Sequence, residues 1–103
     1  MNDATRKLDI ELNKDYLLVC TYTDKDNGVD FGAEYVLDFN PLPWTLEKCE
    51  MIDGQWVVEF MLSRKTRTVG YHESFPVLKK NDRSNLKKQM LRIMERLKEL
   101  TRK

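Results

Sequence analysis

Apolar and polar residues alternate with a period of two along much of the chain, and this alternation predicts β-strands. Near the amino terminus, Leu8, Ile10 and Leu12 alternate with charged residues, so one face of that strand should meet water. Pro41 and Pro43 lack the N–H group that a strand ladder needs, and pairing is expected to break there. The pattern predicts strands over residues 6–12, 15–23, 31–39, 56–62 and 67–72, and a strand or a short helix over residues 45–52.

A hairpin is predicted about Asp53-Gly54, because this dipeptide is typical of two-residue β-turns. The turn sets the register of the two flanking segments, and side chains that oppose each other directly should then match in polarity. In this register the apolar pairs share one face and an opposite-charge pair lies on the other. The opposed pairs are Ile52 with Gln55, Met51 with Trp56, Cys49 with Val58, and Lys48 with Glu59.

A C-terminal helix is predicted over about residues 83–101, with Asn81, Asp82 or Ser84 available as its N-cap. Its apolar residues follow a spacing of 4, 3, 4 and 3, which forms one stripe along the helix. Leu91 lies off this stripe, and a short coiled coil is an alternative use of the same spacing. The stripe consists of Leu86, Met90, Ile93, Leu97 and Leu100, with Met94 beside it.

Together these elements predict one α+β domain over residues 1–103. Its sheet is an antiparallel meander of five or six strands over about residues 6–72. One long C-terminal helix packs on one face of that sheet. A chain of 103 residues with 41% hydrophobic and 34% charged residues is typical of a single folded domain.

The sequence favours a protein of the cytoplasm. It has no apolar run of the roughly 18 to 20 residues that a membrane helix needs, and its charged amino terminus lacks the pattern of a secretory signal. Cys20 and Cys49 lie in apolar strand patterns, so we expect buried thiols. Two cysteines without a signal indicate a reducing compartment.

The sequence shows no common catalytic or metal-binding pattern. His72 is the one histidine, whereas a zinc site needs four ligands or three with water. Residues 24–30 have the acidic composition of a calcium loop, but Thr23 stands where the first carboxylate would be needed. The four glycines are isolated and form no phosphate-binding motif. We therefore expect no enzymatic activity, catalytic residue, metal, cofactor or small-molecule substrate.

Charge is distributed unevenly along the chain. Residues 1–63 carry a net charge of −8 and residues 64–103 carry +9, although the total is only +1. Such an asymmetry favours a charged partner. The alternative is that the two parts neutralise each other when they fold together.

The leading hypothesis is a binding protein that acts on nucleic acid, or on a protein complex that handles nucleic acid, through a basic C-terminal surface. Ring stacking by Tyr71 or Trp44 would extend such binding to single strands. The predicted binding residues are Arg64, Lys65, Arg67, Tyr71, Lys79, Lys80, Arg83, Lys87, Lys88, Arg92 and Arg96.

Two alternative hypotheses use other surfaces. One is a structural homodimer that forms through Met90, Leu91 and Met94 of the helix. The other is a protein-interaction module, such as a phage-type inhibitor of a host enzyme or an immunity-type protein, that binds a basic partner surface. The acidic face of that module would be centred on Asp24, Asp26, Asp30 and Glu34.

Overall fold

A computed structural model describes residues 6–41, 43–78 and 82–102. The strands are β1 (Arg6–Asn13), β2 (Leu17–Asp24), β3 (Val29–Val36), β4 (Trp44–Ile52), β5 (Gln55–Ser63) and β6 (Thr68–Pro76). A 3₁₀ turn at Lys25–Asn27 joins β2 to β3, and the helix α1 covers Arg83–Thr101. Within the residues described, no helix has the length and apolar character needed to cross a membrane.

The six strands form two antiparallel meanders, β1-β2-β3 and β4-β5-β6. The predicted α+β class, the antiparallel meander pattern and the C-terminal helix are confirmed. The single sheet of the prediction is divided in two, since the chain leaves the first meander after Val36 and passes Pro41 and Pro43 before β4 begins. Strands β1 and β4 pack side by side, and the Cys49 thiol donates a hydrogen bond to the Leu8 carbonyl oxygen at 3.3 Å.

The Asp53-Gly54 hairpin has the predicted register. All four predicted pairs are present, and both turn residues have the positive φ that a tight hairpin turn requires, 52° at Asp53 and 77° at Gly54. The alternative of a helix over residues 45–52 is wrong, because this segment is strand β4 with a bulge between Leu46 and Lys48. Strand β5 lies at the centre of its sheet, as its apolar character on both faces predicted.

Helix α1 packs against both sheets. It contacts β2 and β3 of the first sheet and β6 of the second. Four residues of the predicted stripe are buried, namely Leu86, Met90, Ile93 and Leu97. They meet the inward faces of the strands, where Leu18, Tyr22, Val58 and Phe60 have no exposed surface. Leu91 is 44% exposed on the opposite side of the helix. The observed bounds of the helix agree with the predicted ones.

Hydrogen bonds hold both ends of α1 in place. Near its amino end, the Tyr35 hydroxyl donates to the Lys87 carbonyl oxygen at 3.1 Å. At its carboxyl end, the Trp44 indole N–H donates to the Thr101 hydroxyl at 2.7 Å. Asp82 is the N-cap residue, and its backbone carbonyl accepts from Leu86 N–H at 2.9 Å. The predicted alternative cap Asn81 lies outside the described residues.

Candidate functional site: two charged surfaces

The amino-terminal half of α1 presents three exposed cations, which we call the helix patch: Arg83, Lys87 and Lys88. None of them forms an ion pair within the described part of the chain. The Arg83 guanidinium lies 5.8 Å from the centre of the Phe31 ring, so its side chain rests on the edge of the first sheet. Because the rest of the helix is packed between the sheets, these side chains are carried on a rigid element.

The carboxyl-terminal half of α1 uses its cations for internal contacts. Arg92 pairs with Glu73 of β6 at 3.6 Å, and Arg96 pairs with Glu99 one turn along at 2.9 Å. Lys98 pairs with Asp38 at 2.6 Å, and its hydrogen bond lowers the pKa of that carboxyl. These pairs reduce the positive charge of this half, and two of them join the helix to β6 and to the connection between β3 and β4.

Three other predicted binding residues, Arg64, Lys65 and Arg67, form a second basic cluster in the turn between β5 and β6. Arg64 N–H donates to the Arg67 carbonyl oxygen at 2.9 Å and closes the turn. The Arg64 guanidinium donates to the carbonyl oxygens of Leu100 and Thr101, at 3.2 and 2.8 Å. A cation at the carboxyl end of a helix is stabilised by the partial negative charge there. Lys65 and Arg67 remain exposed beside it.

The two basic clusters therefore lie at opposite ends of the helix. Arg64 marks the carboxyl end, whereas the helix patch occupies the first six residues of this 19-residue helix. A helix of that length spans about 28 Å, so roughly 20 Å separates the clusters. The residues that the sequence predicted as one basic surface thus form two separate clusters. Lys79 and Lys80 lie outside the described residues.

The aromatic residues considered for base stacking are buried. Tyr71 is 8% exposed and stacks on Phe60 with ring centres 6.2 Å apart, while the Arg96 guanidinium covers its ring at 5.9 Å. Burial raises the pKa of the Tyr71 phenol. Trp44 is 3% exposed and donates its N–H to Thr101. Neither ring offers a free face to a nucleobase.

The four predicted acidic residues have different environments. Asp24 is 1% exposed and accepts hydrogen bonds from Asn27 at 2.8 Å and Arg6 at 3.3 Å. These bonds, chiefly the one from Asn27, lower its pKa. Asp24 therefore joins β1 to the 3₁₀ turn rather than facing a partner. Asp26 lies within that turn and is engaged in a further interaction. Asp30 and Glu34 are exposed on β3.

Strand register places the exposed carboxylates together on the outer face of the first sheet. Glu11 and Glu34 lie on either side of Val19, in one row across the three strands. With strands about 4.8 Å apart, this row spans about 10 Å. Asp9 and Asp30 lie on the same face, and Lys7 pairs with Asp9 at 3.6 Å. The alternation in β1 had placed Asp9 and Glu11 on a polar face, but only the register shows that they share this face with the carboxylates of β3, across β2.

Both cysteines are free thiols in apolar surroundings. Cys20 is 1% exposed and Cys49 is half-buried. Burial raises the pKa of Cys20 to about 12 and that of Cys49 to about 11. A thiol reacts as its thiolate, so these groups are poor nucleophiles at neutral pH.

We expect the two thiols to destabilise the fold at alkaline pH. In the unfolded chain they ionise near pH 9, whereas in the native protein they stay protonated up to about pH 11. Stability should therefore be unaffected by them below pH 8 and fall as the pH rises through 9, by about 1 kcal/mol per thiol at pH 10. Urea unfolding at pH 8 and pH 10 measures this loss, and the Cys20→Ala/Cys49→Ala variant should lose less. An equal pH-dependent loss in that variant would contradict the assignment.

A cavity of about 250 Å³ lies between the end of β6 and the first turns of α1. Phe75 and Leu78 are buried in its wall, and the Gln89 side-chain oxygen is buried with no hydrogen-bond partner in the described chain. Small-molecule sites usually measure about 300–1,000 Å³, so this cavity is a weaker candidate than the charged surfaces.

No protein-family model, curated protein or solved structure matches the chain. Its function is therefore inferred from the charged surfaces.

Proposed function

We propose that this protein is a non-enzymatic binding protein of the cytoplasm that binds the phosphate backbone of nucleic acid through the helix patch. The observation that carries the proposal is the exposure of Arg83, Lys87 and Lys88 without an ion pair in the described part of the chain. Their neighbours farther along α1 use their charges internally. The helix patch is therefore a local excess of positive charge on a chain whose net charge is only +1.

Phosphate is the group that such a surface recognises best. Lysine and arginine that approach a nucleic-acid backbone release condensed counterions, and this release favours binding at low salt. The patch also lies in the first turns of a helix, where the backbone contributes a partial positive charge. Because Tyr71 and Trp44 are buried, binding should depend on phosphates and little on base sequence.

The two cysteine thiols support the non-enzymatic part of the proposal, because they are poor candidates for a catalytic nucleophile. Burial raises the pKa of Cys20 to about 12 and that of Cys49 to about 11, so neither thiol is activated toward its thiolate.

The proposal predicts weak, salt-dependent binding that requires the helix patch. Fluorescence anisotropy with labelled duplex DNA and RNA at low salt should show binding, with a log K against log salt slope of about −3 for three phosphate contacts. The variant Lys87→Glu/Lys88→Glu should bind roughly tenfold more weakly or worse, because two attractive contacts become repulsive.

A charge-matched control separates the patch from the total charge. Lys65→Glu/Arg67→Glu changes the net charge by the same amount at the opposite end of the helix and leaves both altered side chains exposed. It should bind within about threefold of the wild type. Absence of binding to DNA and RNA at low salt, or an equal loss in both double variants, would refute the proposed function.

A further inference from the structure

The outer face of the first sheet is a large surface that no other described element covers. Helix α1 packs on the inner face of β2 and β3. On the outer face Val36 is 75% exposed, and Leu17 opposes it on β2. Glu11 and Glu34 lie in the next row on the same face, two residues along the strands from this pair. The surface therefore combines an exposed apolar end with a row of carboxylates.

The outward side of α1 carries the complementary pattern. Leu91 is 44% exposed, and Lys87 and Lys88 precede it by one turn. The result is an exposed apolar side chain beside two ammonium groups. Each surface thus has an exposed apolar part next to charged groups, and the charges of the two surfaces are of opposite sign.

We propose that the outer face of the first sheet in one copy of this chain binds the outward side of α1, at Lys87, Lys88 and Leu91, in a second copy. The second copy is the occupant that charge complementarity selects, since both surfaces belong to the same sequence. They cannot meet within one molecule, because α1 lies on the inner face of the sheet and the two surfaces face in opposite directions. The contact is head-to-tail, so each copy keeps one surface of each kind available.

The contact between two copies does not depend on nucleic-acid binding. A second copy and a nucleic acid would, however, compete for Lys87 and Lys88. Contact between opposite charges at the surface is screened by salt. Self-association should therefore be strongest at low ionic strength, and nucleic acid should reverse it if the helix patch binds phosphate.

Sedimentation velocity across a concentration series tests the proposal. At low salt the wild-type protein should show a mass that rises with concentration, and 0.5 M NaCl should reverse it. Lys87→Glu/Lys88→Glu and Glu11→Lys/Glu34→Lys should each associate at least tenfold more weakly. An equimolar mixture of these two variants should recover association. The acidic helix surface of one variant then meets the basic sheet face of the other.

The matched control is Glu47→Lys/Glu50→Lys, which makes the same charge change at exposed positions of β4 in the second sheet. This variant should associate like the wild type. A wild-type monomer at every concentration, no recovery in the mixture, or an equal loss in the control would each overturn the proposal. The proposed function is tested separately, by nucleic-acid binding of the wild type and of Lys65→Glu/Arg67→Glu, because neither of these proteins has an altered sheet face.

Discussion

Replacing Leu97 by alanine is expected to reduce the free energy of unfolding by about 2–5 kcal/mol. The Leu97 side chain is fully buried on the face of α1 that packs between the two sheets. Alanine would remove its apolar contacts and leave a cavity that the strands on either side can fill only in part. Single domains are stable by about 5–15 kcal/mol, so this loss is a large fraction of the total. Urea unfolding followed by circular dichroism measures it.

Leu91→Ala is the matched control for this prediction. It is the same substitution in the same helix, but Leu91 is 44% exposed and lies off the buried stripe. We expect a change of about 0.5 kcal/mol or less, as is usual for surface positions. If both variants lost the same stability, α1 would not pack through the stripe that contains Leu97.

Replacing Gly32 by alanine is expected to destabilise the protein by about 1–3 kcal/mol. A Cβ atom at this position would lie 2.9 Å from the backbone carbonyl oxygen of Cys20 in β2. Neither atom can rotate away, so strands β2 and β3 would have to separate locally. Thermal and urea unfolding measure the effect.

Gly70→Ala provides the comparison within β6. There the nearest atom to an added Cβ is the Met61 sulfur at 3.3 Å, which belongs to a flexible side chain. The side chain can adjust, and the loss of glycine freedom in the unfolded state favours the folded protein by about 0.4–1 kcal/mol. We expect little change or a small gain in stability. A cost equal to that of Gly32→Ala would show that strand geometry, and not the contact with Cys20, decides the effect.

The uneven charge of the sequence has two structural outcomes. Part of the positive charge holds the molecule together, through Arg92 with Glu73, Lys98 with Asp38, and Arg64 at the carboxyl end of α1. The remainder stays exposed, most densely in the helix patch. Internal neutralisation, one of the two alternatives, therefore applies to the carboxyl-terminal half of α1. A partner surface on its amino-terminal half stays a prediction.

Local patterns in the sequence determined the elements of this fold. The alternation of residues 6–12 predicted β1, the Asp53-Gly54 turn predicted a hairpin and its register, and the 4-3-4-3 spacing predicted α1 and its buried stripe. Each of these features depends on residues close together in the chain, where the period of side-chain directions decides which face is apolar. The bounds of two strands differ from the predicted ones: β3 ends at Val36, and β6 continues to Pro76.

Tertiary structure alone decided which distant residues share a surface. It divided the strands into two sheets, buried Asp24 and Tyr71, placed Arg64 at the far end of α1 from Lys87, and joined Glu11 to Glu34 across β2. These outcomes depend on how the sheets and the helix pack against one another. Periodicity states which face of an element is polar, but it does not state which other element lies beside that face.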